Sequence, residues 1–150
     1  MHPALQVFLM SAVPILEFKA GIPLGIARGL HPAWATALGI AGTLVQLPFN
    51  LLFLHLLRRW AGRYRPARRF LVWSRMRARK HRQTVRRYGV LGVAIIVGVP
   101  IPGTGLFTGT VAGSLIGLPT WPLVLGLVLG TIAAAALVTL TTQGIVHLFA

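Results

Sequence analysis

Only one side chain in 150 residues is acidic, Glu17. It stands in the stretch VPILEFKAGIPLGIARG, residues 13–29, with Lys19 two places on and Arg28 further along. A carboxyl set among Leu, Ile and Pro is drawn to its neutral form by desolvation and to its anion by a nearby cation. A group balanced between those influences can take up and release a proton, and this is the chemistry that Glu17 suggests. The competing reading is a fixed ion pair with Lys19, Arg28 or a basic residue elsewhere, since buried pairs are often only structural. On a continuous helix Glu17 and Lys19 would point apart, because i and i+2 do not share a face. At a break in a helix they could converge on one cavity. Gln46 and Asn50, and likewise Thr104 and Thr108, are four apart and could line a pathway. Such residues also commonly just hydrogen-bond a neighbouring helix.

Other chemistries are poorly served. There is no cysteine, the five histidines show no ligand spacing, and a lone carboxylate cannot build a metal site, so neither metal nor cofactor is expected. No nucleophile, base and acid stand at plausible spacing, so an enzyme is not expected. The N-terminus lacks a basic region ahead of its apolar stretch, and a cleaved signal peptide is not expected.

These side chains must be held by elements that lie in a bilayer. Hydrophobic residues make up 55% of the chain and charged ones 11%, against roughly a quarter charged in a soluble domain. Residues 29–57 and 88–150 carry no formal charge, and each run exceeds the ~20 residues that cross a hydrocarbon core. Thirteen of the fifteen Lys and Arg fall between Arg58 and Arg87. A basic block alone would suggest nucleic acid. Flanked by apolar spans, it reads as a cytoplasmic loop of a multi-pass protein of the cell membrane. Trp60, Tyr64, Phe70, Trp73 and Met76 punctuate the arginines at mostly three- or four-residue steps. This predicts amphipathic helices, separated at Pro66, lying on the anionic lipid of the cytoplasmic leaflet.

The expected fold is all-α, one membrane domain over 1–150, in two repeats at 3–57 and 88–150 joined by the basic segment 58–87. Each repeat pairs a broken helix with a spanning one. The first broken helix is interrupted at Pro14, the Glu17/Lys19 pair, Gly21 and Pro23, and the second at Pro100, Pro102, Gly103 and Gly105. Backbone freed at such breaks must be buried in protein or line a cavity, and paired broken segments point to a transporter's central site. Gly21, Gly25 and Gly29 are matched by Gly105, Gly109 and Gly113, and each ladder is followed by Pro-x-Trp, at Trp34 and Trp121. Re-entrant breaks would make the halves inverted and put both termini outside; spanning breaks would give four crossings, parallel halves and both termini inside. Pro48 is expected to kink the first spanning helix. Gly126, Gly130 and Ala134 should form a close-packing face in the last helix. So small a chain is expected to act as a homodimer.

The stretches PILEFKAGIPLGIARGL and RRYGVLGVAIIVGVPIPGTGLFTG resemble the two signature stretches of the small multidrug export family, over nearly the whole chain. That family is distantly similar to the DedA-type membrane proteins, which have two re-entrant helices meeting at mid-membrane. The resemblance implies proton-coupled movement of polyprenyl-phosphate carrier lipids, with Glu17 and Lys19 as the acidic and basic positions of the first motif. The DedA-type arginines of the second tip are missing from VPIPGTG, so phosphate recognition would fall to Lys19, Arg28 or Arg87 with backbone N–H groups at a half-helix start. Three functions remain open: a transporter of an amphipathic anion, a proton-coupled exporter of lipophilic cations, and a structural membrane protein.

Overall fold

The computed structural model describes residues 2–14, 16–66, 68–69, 72–73, 76, 82–99 and 105–149. Six helices of eight or more residues run through them: α1 Pro3–Ser11, α2 Glu17–Ala27, α3 Pro32–Ala61, α4 Arg82–Gly98, α5 Leu106–Leu115 and α6 Thr120–Phe149. No strand occurs among the described residues. α1 and α3 both begin at a His-Pro-Ala triplet. The His2 and His31 Nδ1 atoms accept from the Ala4 and Ala33 amides at 3.3 Å. Pro at the first helical position costs no intrahelical donor.

The two 30-residue helices, α3 and α6, are each about 45 Å long, enough to cross a bilayer with tilt. Only 33% and 39% of their most apolar windows are buried. Their apolar surface therefore faces outward, as suits lipid and not water. The chain is an all-helical membrane protein with two helices long and apolar enough to span.

Against each long helix lies an antiparallel pair of short ones. α1 and α2 meet through Gly21 and Gly25, where an added β-carbon would strike Ser11 and Val7. α4 and α5 meet through Gly109 and Gly113, which face Val97 and Val93. α4 also runs parallel to α6: Gly126 admits the Val90 carbonyl and Gly130 the Ala94 carbonyl, each about a turn further along. Gly126 and Gly130 thus form the close-packing face expected of them, and Ala134 is fully buried. α1 runs parallel to α3, with Gly42 against the Phe8 carbonyl.

α3 and α6 are antiparallel to each other. The Thr36 and Thr139 hydroxyls share a hydrogen bond, and Leu47 packs in one core with Leu123 and Leu127. Each long helix packs early on its own hairpin and later on the other. Leu47 joins Val93, Val97 and Leu106, while Ala134, Ala135 and Val138 join Phe18 and Ile22. Both described termini therefore lie at the end of the bundle where α3 begins. The basic segment leaves from the opposite end, and Trp34 and Trp121, both exposed, mark the two ends.

The breaks differ from expectation in one hairpin. Gly21 and Pro23 do not interrupt the first broken helix, since both lie inside α2. α2 survives Pro23 because α1 and α3 clamp it on two sides, and packing of this kind overrides a single lost donor. The interruption is confined to Ala12–Leu16, and Pro14 alone of the named breakers lies in it. Pro48 likewise sits within a continuous α3. Of the second set, Gly105 is the residue before α5, while Pro100, Pro102, Gly103 and Thr104 fall outside the described residues.

The short return helices end alike. Gly29 and Gly117 adopt φ of 80° and 81°. The next amides, Leu30 and Leu118, donate to the Gly25 and Gly113 carbonyls, both at 2.9 Å, which is the Schellman arrangement. The counterparts of Gly21, Gly25 and Gly29 are thus Gly109, Gly113 and Gly117, one step along from the ladder read in the sequence. At Gly29 a β-carbon would meet nothing within 4 Å, so only backbone strain opposes one. Gly29→Ala is expected to cost about 1 kcal/mol, read as a lowered midpoint of thermal unfolding in detergent.

Candidate functional site

The two breaks meet. Glu17 is the first residue of α2 and is 2% exposed. Its φ of 49° puts it in the left-handed region, an uncommon conformation for a residue with a side chain and a mark of functional or ligand-holding positions. The turn brings the carboxylate across to the other hairpin. Glu17 Oε1 accepts the Leu106 amide, first of α5, at 2.8 Å. An anion is favoured there, because the first amides of a helix lack intrahelical acceptors and carry the positive end of its dipole.

Gly105, the residue before α5, lies so close that a β-carbon on it would run into both carboxylate oxygens. Glu17 and Gly105 each stand twelve residues before the glycine that ends their helix. They occupy the same place in their two hairpins, and there is room for one side chain between them.

Lys19 Nζ stands 3.8 Å from Glu17 Oε2. The pair converges, as residues at a broken turn can, because Glu17 starts the helix from a left-handed backbone instead of lying along its body. The contact is an ion pair longer than a hydrogen bond. The Lys19 ammonium also lies 6.0 Å from the centre of the Phe18 ring, at the outer limit of a cation–π contact.

The first break is held together from α3. The Thr43 hydroxyl accepts the Phe18 amide at 3.0 Å and donates to the Ser11 carbonyl at 3.2 Å, joining the start of α2 to the end of α1. Gln46 Nε2 donates to the same carbonyl at 2.8 Å. These contacts satisfy helix-end groups that the bilayer cannot. Thr43 was not singled out from the sequence. Its signal is the spacing of Thr43, Gln46 and Asn50 on one face of an otherwise apolar helix. Thr43→Val would orphan a buried amide and weaken the hold on a carbonyl. It is expected to cost about 1–3 kcal/mol, measurable by thermal unfolding in detergent.

Arg28 and Arg87 stand away from this point. Arg28 is exposed beyond the far end of α2, about 16 Å along its axis. Arg87 is exposed near the start of α4, at the basic end of the bundle. Thr108 is half-buried in the first turn of α5, and Thr104 lies outside the described residues. Among the described residues no group of His, Cys, Asp or Glu could hold a metal ion.

A site built in this way can hold negative charge at mid-bundle, and can lose its own negative charge by protonation. Compared with known families, residues 17–137 match the model described as "Putative small multi-drug export protein". No curated protein and no solved structure matches the chain.

Proposed function

The chain belongs to this small multi-drug export family, and from that premise we propose that it is a multi-pass transporter working at Glu17, Lys19 and the start of α5. Its substrate is an amphipathic anion, such as a phosphorylated polyprenyl carrier lipid, moved together with a proton. One observation carries this reading. The position best suited to an anionic headgroup, a helix start beside an ammonium, is filled by the protein's own carboxylate. Protonating Glu17 removes that internal anion and leaves the Leu106 amide and Lys19 to a phosphate. Deprotonation returns the carboxylate and expels the headgroup. Proton and anion then bind together.

In this reading the hairpins are re-entrant and the halves form an inverted repeat. The short helices α1, α2 and α5, and the uncharged part of α4 from Tyr88 to Gly98, are about 14–17 Å long, half of a ~30 Å hydrocarbon core. The matching Schellman ends and the opposed Trp34 and Trp121 support the inversion. The basic segment 58–87 lies on the anionic cytoplasmic leaflet, which puts both termini outside. Trp60, Tyr64, Trp73 and Met76 are exposed along it, as suits an apolar side resting on lipid. The working unit is a homodimer.

The family's description favours a second reading, exchange of protons for lipophilic cations. There the cation would have to displace Lys19 from Glu17, which argues against it. Flux assays in proteoliposomes separate the two. Transbilayer movement of a polyprenyl phosphate that needs the wild-type protein, and is lost on Lys19→Ala, supports the anion. Movement of a lipophilic cation alone supports the second reading.

A further inference from the structure

Gln46 and Asn50 are 4% and 8% exposed, yet Gln46 Oε1 and Asn50 Nδ2 have no hydrogen-bond partner. Glu17 Oε2 has none either, beyond its ion pair with Lys19. Buried polar atoms of this kind are normally satisfied, and in a polar recess the group that satisfies them is water. Their placement is ordered. Gln46, Asn50, Leu54 and Arg58 follow one another at four-residue steps on α3, so they form a stripe that descends about 6 Å and turns about 40° round the helix at each step. The upper end is anchored at the first break, where Gln46 holds the Ser11 carbonyl. The lower end is Arg58, which donates from Nε at 3.1 Å, and also from Nη2, to the Ser114 hydroxyl in the last turn of α5. Between Asn50 and Arg58 stands Leu54, 7% exposed, as one apolar turn.

We propose that this winding stripe of α3 is a water path joining the Glu17 site to the end of the bundle that carries the basic segment. Gln46 and Asn50 are its polar lining, Leu54 its constriction and the Arg58–Ser114 contact its mouth. It supplies the proton that Glu17 exchanges. A carboxyl only 2% exposed in a bundle set in lipid needs such a route, since a proton cannot reach it through hydrocarbon. The path rests on the transport reading for its purpose, but its existence can be tested without any substrate.

The chain has no cysteine, so single thiols can be introduced cleanly. Asn50→Cys and Leu54→Cys proteins in sealed vesicles would be treated with a membrane-impermeant methanethiosulfonate bearing a trimethylammonium group, from each side in turn. Phe49→Cys, on the exposed apolar side of the same helix, is the comparison. The expected result is modification at Asn50→Cys and Leu54→Cys at least about tenfold faster than at Phe49→Cys, from the basic-segment side only. Adding Arg58→Ala should speed it further. Rates at both positions equal to that at Phe49→Cys, or modification only from the opposite side, would overturn the path. Two positions are used so that loss of fold in one leaves the other to decide. Accessible thiols without flux of any substrate would leave the path standing and remove the transport reading. Flux with inaccessible thiols would do the reverse.

Discussion

Glu17→Gln is expected to abolish transport while leaving the fold in place. The amide oxygen of Gln can still accept the Leu106 N–H that Glu17 Oε1 accepts at 2.8 Å, so the two hairpins stay joined. What disappears is the charge and the ability to shed it. Lys19 loses its counter-ion, but its side chain is 17% exposed, so the stability cost should stay near 1–3 kcal/mol. Flux is expected to fall at least about 100-fold, equivalent to about 2.7 kcal/mol. Purified Glu17→Gln should therefore remain folded in detergent by circular dichroism and be inactive in proteoliposomes. Retained flux would mean that Glu17 is a structural cap and nothing more.

Gly105→Ala should have the larger structural effect, although it adds a single methyl. The β-carbon would run into both Glu17 oxygens, and neither partner can yield easily. Glu17 is fixed by its left-handed backbone and by the Leu106 amide, and Gly105 supplies the carbonyl for the first bond of α5, to the Gly109 amide at 2.8 Å. Overpacking a tight site typically costs about 1–3 kcal/mol. Here it also pushes the carboxylate off a helix start worth up to ~2 kcal/mol to it. The midpoint of thermal unfolding should drop by several degrees and transport should be lost. By contrast, Gly92, whose β-carbon would meet nothing within 4 Å, should accept alanine with little change. Equal tolerance at both positions would contradict the close approach of the two hairpins.

The class of the protein was open to reading before any fold was known, because class depends on runs of residues. The uncharged stretches 29–57 and 88–150 announce spans, and Pro14 and Gly105 announce places where a helix must stop. The convergence of Glu17 with Lys19 was also foreseeable once a break was placed beside them. Gly21 and Pro23 misled for a physical reason. Their types disfavour helix locally, but Gly21 is needed for the approach of α1 to α2, and the resulting clamp holds Pro23 in the helix. The glycine ladders misled by one step because spacing by four repeats itself. Only the left-handed φ at Gly29 and Gly117 fixes which glycine answers which.

The most informative contact lay furthest from view. Glu17 and the Leu106 amide are separated by 89 positions, and no local pattern says that a carboxylate in one hairpin will start a helix in the other. The same holds for Thr43, which ties a break 32 residues upstream. The shared register of Glu17 and Gly105 gives a reason why the chain has one acidic residue at this depth and not two. The counterpart position must be glycine if the carboxylate is to lie against it.

In the proposed cycle Glu17 and the substrate's phosphate compete for one helix start beside Lys19. The direct test is proton uptake on binding, followed by a pH indicator in weakly buffered detergent while a short-chain polyprenyl phosphate is titrated in. The expected result is uptake approaching one proton per site with wild-type protein and none with Glu17→Gln. Saturable binding by wild-type protein with no proton uptake would contradict it, as would proton release on adding a lipophilic cation in place of the phosphate.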